Sequence, residues 1–196
     1  DAVEKLFWLH HIRTSSLNPG LRARIEEEDL RRNEWIVEEA IRLHQEKILT
    51  DSSLKTVKML CAKVKDNPLI GKAKKVLTHG DARIQNFYLD DNGKLQLRDF
   101  EHANINSPLL DAASFYYSIP DSPFRDVFKR FFKERFLAIF SGSDKEFSEA
   151  FQYFIVHRLI AWLKFNTTFT KDVGEKTAQL RVDEAAQLLE KLLKSP

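Results

Sequence analysis

A mainly helical chain carrying one small β-hairpin near its middle, an α+β fold, is what this sequence predicts. Glycine and proline are scarce, at six each in 196 residues, which favours long uninterrupted elements. Apolar residues recur near a 3.6-residue period over much of the chain. In the middle the texture changes to two short apolar runs separated by Asp91-Asn92-Gly93-Lys94, and Asn-Gly between such runs is the strongest short-range hairpin signal.

The elements follow in order. The chain opens into the apolar stretch Leu6-Phe7-Trp8-Leu9, and Asn18-Pro19-Gly20 is a break. Residues 21–47 carry Ile25, Leu30, Ile36, Val37, Ala40, Ile41 and Leu43 at helical spacing, which predicts one long helix, bent or split. Ser52 or Ser53 is the expected cap of a helix to about residue 65, stopped by Asp66-Asn67-Pro68. Val76-Leu77 reads as a short strand, and the hairpin strands are expected over 87–90 and 95–99. Ser122-Pro123 supplies a cap and first-turn pair for an amphipathic helix over 124–140. Ser143 and Glu146 form a capping box before a helix to about residue 169, and a last helix covers about 174–194.

Composition bounds the function. Apolar residues at 43% are ample for a core, and the length suits one compact unit. Lys plus Arg (31) nearly cancel Asp plus Glu (29), leaving +2, so no nucleic-acid footprint is expected. Cys61 is the one cysteine, which excludes an intrachain disulfide and a cysteine-based zinc site and fits a reducing compartment. No apolar run approaches a membrane span and no signal-peptide pattern opens the chain, so a soluble, cytoplasmic protein is expected. The one methionine is Met59, and further residues are expected to precede Asp1.

The candidate chemistry lies at the hairpin. If Asn92-Gly93 is a two-residue loop, facing residues have numbers that sum to 185, so Asn86 faces Asp99. Opposed side chains in an antiparallel pair have Cβ atoms roughly 4.5–5.5 Å apart, within reach of one bridging cation, and an amide oxygen with a carboxylate suits Mg²⁺. His79-Gly80-Asp81 leaves the Val76-Leu77 strand and delivers Asp81, a third oxygen ligand or a base, to the same place. The spacing D-x-x-x-x-N, with D-F after a further interval, is the one kinase folds use for a catalytic base and two metal-holding side chains.

His79-Gly80-Asp81 with Asn86, and Asp99-Phe100-Glu101, resemble the H-G-D-x-x-x-x-N and D-F-E motifs of the aminoglycoside phosphotransferase and choline kinase family. Leu43-His44 resembles its upstream Leu-His pair, and Pro108 with Asp111-Ala112-Ala113 resembles its G-D-P-x-x-D-L-A segment. The motifs cover about 43–117. Departures are Ala82-Arg83-Ile84-Gln85 where Leu-His-Pro-Gly is common, and Asn106-Ser107 where Gly-Asp is common.

The resemblance implies the C-terminal, substrate-binding lobe of a protein-kinase-like fold spanning 1–196. It implies Asp81 as catalytic base, Asn86 and Asp99 as Mg²⁺ ligands, and His79 and Asp111 as supports of the catalytic loop. Glu101 is a candidate for metal or substrate contact, and Arg83, outside the motif, for pairing with a phosphate or a neighbouring carboxylate. ATP is the implied co-substrate and a small-molecule hydroxyl the acceptor. The six glycines fall at 20, 71, 80, 93, 142 and 174, so no glycine-rich loop exists. The ATP-gripping N-terminal lobe is therefore expected to be absent from the chain.

Blander readings stand beside these. His79 by itself suits a hydrogen-bonded structural histidine. Asp90 and Asp91 suit turn chemistry. The aromatic runs Phe115-Tyr116-Tyr117, Phe131-Phe132, Phe151 with Tyr153-Phe154, and Trp162 with Phe165 suit a helical core better than an ammonium cage. The charges of 24–32 suit a solvated helix face. A non-enzymatic kinase-like binding or regulatory module is the alternative from another class, and a metal-dependent hydrolase is weaker because two Asp and one Asn are few ligands without substrate phosphates. The near-neutral charge argues mildly against a strongly cationic substrate.

Overall fold

The computed structural model describes residues 1–12, 18–20, 35–71, 75–120, 123–168 and 174–194. In chain order the first helices are α1 (Ala2–His10), α2 (Trp35–Gln45), α3 (Asp51–Lys63) and the short α4 (Pro68–Gly71). Strands β1 (Val76–Thr78), β2 (Phe87–Leu89), β3 (Leu95–Leu97) and β4 (Asn104–Asn106) follow. Four more helices follow among the described residues: α5 (Pro108–Ser118), α6 (Pro123–Phe140), α7 (Asp144–Thr168) and α8 (Glu175–Lys194). The predicted mainly helical fold with a small antiparallel β component is what forms. None of the described helices is long and apolar enough to cross a membrane.

The chain groups into two compact units. The first takes Asp1–Leu30 and Asp66–Ile155, the second Arg31–Lys65 and Val156–Pro196. Phenylalanine dominates the first core. Phe128, Phe132 and Phe136 recur every four residues on α6 and are buried, as a helix face turned to a core requires. Phe132 packs on Phe7 of α1 at 5.0 Å and Phe136 on Phe147 of α7 at 5.6 Å, and Phe147 stacks on Phe151 at 5.4 Å. Burying each such ring contributes roughly 1.5–3 kcal/mol. The buried aromatics therefore belong to the core, as their spacing predicts. Phe131 and Phe165 are half-exposed.

In the second unit α8 buries Ala178, Val182, Ala185 and Leu189, again one helical face. Buried Glu39 of α2 accepts hydrogen bonds from Arg42, whose guanidinium reaches Thr167 of α7 at 2.9 Å. The cap of α3 is Thr50, which accepts from Ser53 N at 3.2 Å. Ser52 and Ser53 were the expected caps, but both lie inside the helix. Competition between three hydroxyl residues within four positions is decided by where the backbone turns extended, at Thr50.

The long helix expected over 21–47 is described only as α2, its earlier part lying outside the described residues, as do the charges of 24–32 and the Ser122 cap. The Ser143–Glu146 capping box forms as predicted: Ser143 N donates to Glu146 Oε2 at 2.7 Å and Glu146 N to Ser143 Oγ at 3.2 Å. The bonds that Ser143 N and Ser143 Oγ donate to Oε2 hold the Glu146 carboxyl below its ordinary value.

The hairpin forms in a different register. Phe87 pairs with Leu97, Tyr88 with Gln96 and Leu89 with Leu95, so facing numbers sum to 184 and the loop is Asp91-Asn92-Gly93. Asp90 is the reason. Its Oδ1 accepts from Asn92 N and Lys94 N, both at 2.9 Å, Gly93 N returns to Asp90 O at 2.8 Å, and Gly93 takes φ +71°. A side-chain-capped turn ending in a left-handed glycine adds one residue to the loop. Asp90 is thus a turn acid, and the Gln96 amide and these backbone groups hold its carboxyl below its ordinary value.

Candidate active site

The site is built on a second two-stranded sheet that sequence reading half missed. β1 pairs antiparallel with β4, Val76 opposite Asn106 and Thr78 opposite Asn104. Only Val76-Leu77 carried a strand signal, since Asn-Ile-Asn has little β-propensity. Buried Thr78 donates to Asn104 O and Oδ1 at 2.9 Å, and Asn104 Nδ2 donates to His102 O at 2.7 Å. These bonds fix the floor on which the next turn rests.

That turn is His79-Gly80-Asp81. Gly80 takes φ +80°, and a Cβ there would lie 1.9 Å from His102 O, so neither the dihedral nor the space admits a side chain. The two oxygens of fully buried Asp111 accept from His79 N at 2.8 Å and Gly80 N at 2.9 Å. Asp111 is delivered by α5, whose cap is Ser107 with Pro108 in the first turn. This helix was not predicted, although Ser107-Pro108 repeats the Ser-Pro signal read at Ser122-Pro123.

The ring of buried His79 spans the turn and the hairpin. Asp81 N donates to its Nδ1 at 3.2 Å, and its Nε2 donates to Arg98 O at 2.7 Å. Phe100 lies against the ring at 4.5 Å. Asp81, nearly buried, receives Arg83 through Nε at 3.0 Å and Nη2 at 2.7 Å, both on Oδ2. Asn86 Nδ2 donates to Asp81 O at 2.7 Å and lies 3.3 Å from Oδ2. Burial by itself would lower the Arg83 guanidinium, but the hydrogen bonds and charge of Asp81, with smaller effects of Tyr117 and Asp99, hold it above its ordinary value. The carboxylate arm expected for Arg83 is thus the one formed.

Asn86 and Asp99 are not the facing pair predicted. Asn86 closes a 3₁₀ turn (Ile84–Asn86), and its carbonyl accepts from Arg98 N at 3.0 Å. Asp99 follows in the left-handed region at φ 69°, ψ 60°. The one-residue shift set at Asp90 moves Asp99 past the pairing position. Asp99 still stands next to the Asn86–Arg98 bridge, and its charge acts on Arg83. A left-handed non-glycine residue costs of order 1–3 kcal/mol and is concentrated at functional sites. Glu101 is exposed and lies 3.3 Å from His102 Nε2.

The oxygen donors suit a hard cation. Asn86 spends its NH₂ on Asp81, and neither Asn86 Oδ1 nor the exposed Asp99 carboxylate takes a hydrogen bond among the described residues. Among those residues no cluster of three or more His, Cys, Asp or Glu could hold a metal by itself. One carboxylate and one amide oxygen, completed by phosphate oxygens and water, is a set that fits Mg²⁺.

Of the upstream Leu-His pair, His44 Nε2 bonds Asp51 Oδ1 at 2.8 Å at the start of α3. The same dipeptide recurs as Leu9-His10 on α1, and His10 Nε2 lies 3.0 Å from Asp111 Oδ2. Two identical dipeptides left the sequence signal ambiguous.

Fold and site together define a kinase-like phosphotransferase fold. The chain belongs to the phosphotransferase enzyme family (APH), which it matches over residues 1–143. No curated protein matches the sequence. Among solved structures, a choline/ethanolamine kinase family protein from Mesorhizobium loti is 14% identical with a TM-score of 0.65, over 100% of this chain and 60% of that one. Aminoglycoside 2'-phosphotransferase-IIIa, solved as a GDP complex, is 16% identical with a TM-score of 0.61, over 97% of this chain and 59% of that one. Macrolide 2'-phosphotransferase type I is 14% identical with a TM-score of 0.58, over 96% and 56%. The chain therefore spans less than two thirds of these structures, and the likeness shows the fold.

Proposed function

We propose that this chain is the catalytic lobe of a cytoplasmic, ATP-dependent phosphotransferase that moves the ATP γ-phosphate to a hydroxyl of a small molecule. The observation that carries the reading is the Asp81 turn. A near-buried carboxylate sits on a strand end whose backbone is held by Asp111, with Asn86 and Arg83 both bonded to it and Asp99 beside them. A second lobe that grips the nucleotide belongs to the reading, since no glycine-rich loop precedes Asp81.

In this mechanism Asp81 orients the acceptor hydroxyl and takes its proton. The hydroxyl oxygen bonds the γ-phosphorus as the bond to the β-bridging oxygen breaks, and ADP leaves with that electron pair. Asn86 and Asp99 are the side chains that would hold Mg²⁺, which when bound neutralises phosphate charge. Arg83, one-third exposed beside Asp81, shares its guanidinium with a phosphate in this reading. Glu101 contacts the substrate in this reading. His79 and Asp111 hold the loop. Because little covalent chemistry falls to the protein, positioning and electrostatics supply most of the rate.

The test uses the complete protein with a panel of hydroxylated metabolites and ATP. Asp81→Asn keeps the shape and removes the proton acceptor, so turnover falls roughly 10²–10⁴-fold with ATP affinity little changed. Asp99→Asn instead weakens magnesium-dependent ATP binding as well. Near-full turnover in Asp81→Asn would overturn the assignment and favour the non-enzymatic module.

A further inference from the structure

Arg83 keeps an unused donor edge beside the base. Its guanidinium is planar, with N–H groups on Nε, Nη1 and Nη2. The side edge, Nε and Nη2, is spent on one oxygen, Asp81 Oδ2, at 3.0 and 2.7 Å. The end edge, formed by Nη1 and the second Nη2 hydrogen, meets no acceptor among the described residues. The side chain is one-third exposed and Nη1 is not among the buried atoms left unpaired, so this edge is open. Two parallel N–H groups on one planar edge are the fork that a carboxylate or phosphate takes with both oxygens.

The neighbouring charges leave the fork unfilled. Asp99 acts on Arg83 by its charge without a hydrogen bond, and the Glu101 carboxylate lies 3.3 Å from His102 Nε2. Arg98, the nearby cation, reaches Gln85 O at 3.4 Å and lies over the Tyr88 ring. Asp81 cancels the charge of Arg83 at a distance, but at hydrogen-bond range the free edge decides what can bind. In-line transfer sets acceptor and leaving group on opposite sides of the phosphorus. A guanidinium bonded to the base's own oxygen therefore stands with the acceptor, not with ADP. Whatever the acceptor carries a few bonds from its reacting hydroxyl lies against the fork. An ammonium group there meets a like charge and offers no acceptor, a neutral hydroxyl accepts singly, and a carboxylate or phosphate accepts twice.

We propose that Arg83 selects the acceptor, and that the small molecule phosphorylated carries an anionic group, a carboxylate or a phosphate monoester, a few bonds from the hydroxyl oriented by Asp81. The proposal rests on the phosphotransferase reading for the place of the acceptor. The anion-binding fork itself can be measured without turnover.

The experiment uses the complete protein with Mg²⁺ and a saturating, non-transferable ATP analogue, so that nucleotide phosphates already fill their own site. Glycerate, glycerol phosphate, glycerol and 3-amino-1,2-propanediol, which differ in one terminal group, are titrated and followed by ligand-observed NMR. At least one of the two anions is expected to bind at least about tenfold more tightly than glycerol, and the amine more weakly than glycerol; the tighter of the two anions tells carboxylate from phosphate. Arg83→Gln should weaken that anion at least about tenfold and leave glycerol within about twofold, while Arg83→Lys, which keeps the charge and loses the fork, should fall between. Thermal melts show that both variants are folded. In transfer assays, anionic acceptors should exceed amino alcohols in kcat/KM by at least about tenfold, and Arg83→Gln should remove the preference. Anion binding no tighter than that of glycerol, or undiminished in Arg83→Gln, overturns the proposal. So does anion binding seen only without the ATP analogue, which would give the fork to the γ-phosphate. Transfer with no preference for anionic acceptors sinks the proposal and spares the phosphotransferase reading. A wild-type protein that binds the anion but transfers phosphate to no hydroxyl sinks that reading and the acceptor role with it, leaving only an anion site.

Discussion

The two small sheets of this molecule are built on opposite principles. β2 and β3 are joined by Asp91-Asn92-Gly93 with flanking Asp90, are half-exposed, and take their register from that turn. β1 and β4 lie about thirty residues apart in sequence, β4 is fully buried, and they meet through Thr78, Asn104 and the carbonyl of His102. The first is a local structure that the sequence announces, the second a non-local one that it barely marks. The site draws on both, because His79 Nε2 on the β1 side donates to Arg98 O on the hairpin side. A loop held by buried non-local bonds is expected to keep its shape better than the half-exposed hairpin beside it.

Breaking the buried sheet should therefore cost far more than breaking the hairpin. The largest effect is expected at Gly80→Ala, where a Cβ would collide with His102 O at 1.9 Å and φ is +80°. We expect a stability loss of about 3 kcal/mol or more, seen by denaturant melts, and a turnover loss larger than that of any hairpin substitution. Asn104→Ala comes next. It leaves His102 O without its 2.7 Å donor and removes one of the two acceptors of Thr78, so a loss of about 1–3 kcal/mol is expected. A value near zero would show that the two sheets do not differ as argued.

Asp90→Ala sharpens the comparison from the other side. Its bonds to Asn92 N and Lys94 N lie at the exposed turn, so global melting should hardly move while amide exchange at those two positions quickens. The pH sign can be stated. A carboxyl held below its ordinary value supports the turn fully above pH 3.8 and loses that support as pH falls through the lower folded value. Protection of Asn92 and Lys94 should therefore persist at pH 3.8 in the wild type and be absent at any pH in Asp90→Ala.

What the sequence determined by itself is what four or five neighbouring residues can decide. The capping box at Ser143 and Glu146, the existence of the hairpin, the helical periods of α6 and α8, and the H-G-D-x-x-x-x-N and D-F-E motifs depend on short-range hydrogen bonds or on residue type at fixed spacing. Tertiary structure decided the rest. It paired the asparagine-rich β4 with β1, because burial and not propensity made that strand, whereas the hairpin register stayed a local matter, set by the Asp90 carboxylate capping Asn92 and Lys94. Tertiary structure also brought His10 within 3.0 Å of the Asp111 carboxylate, 101 residues away along the chain, and no local rule spans such a distance, since packing alone brings residues so far apart in sequence together.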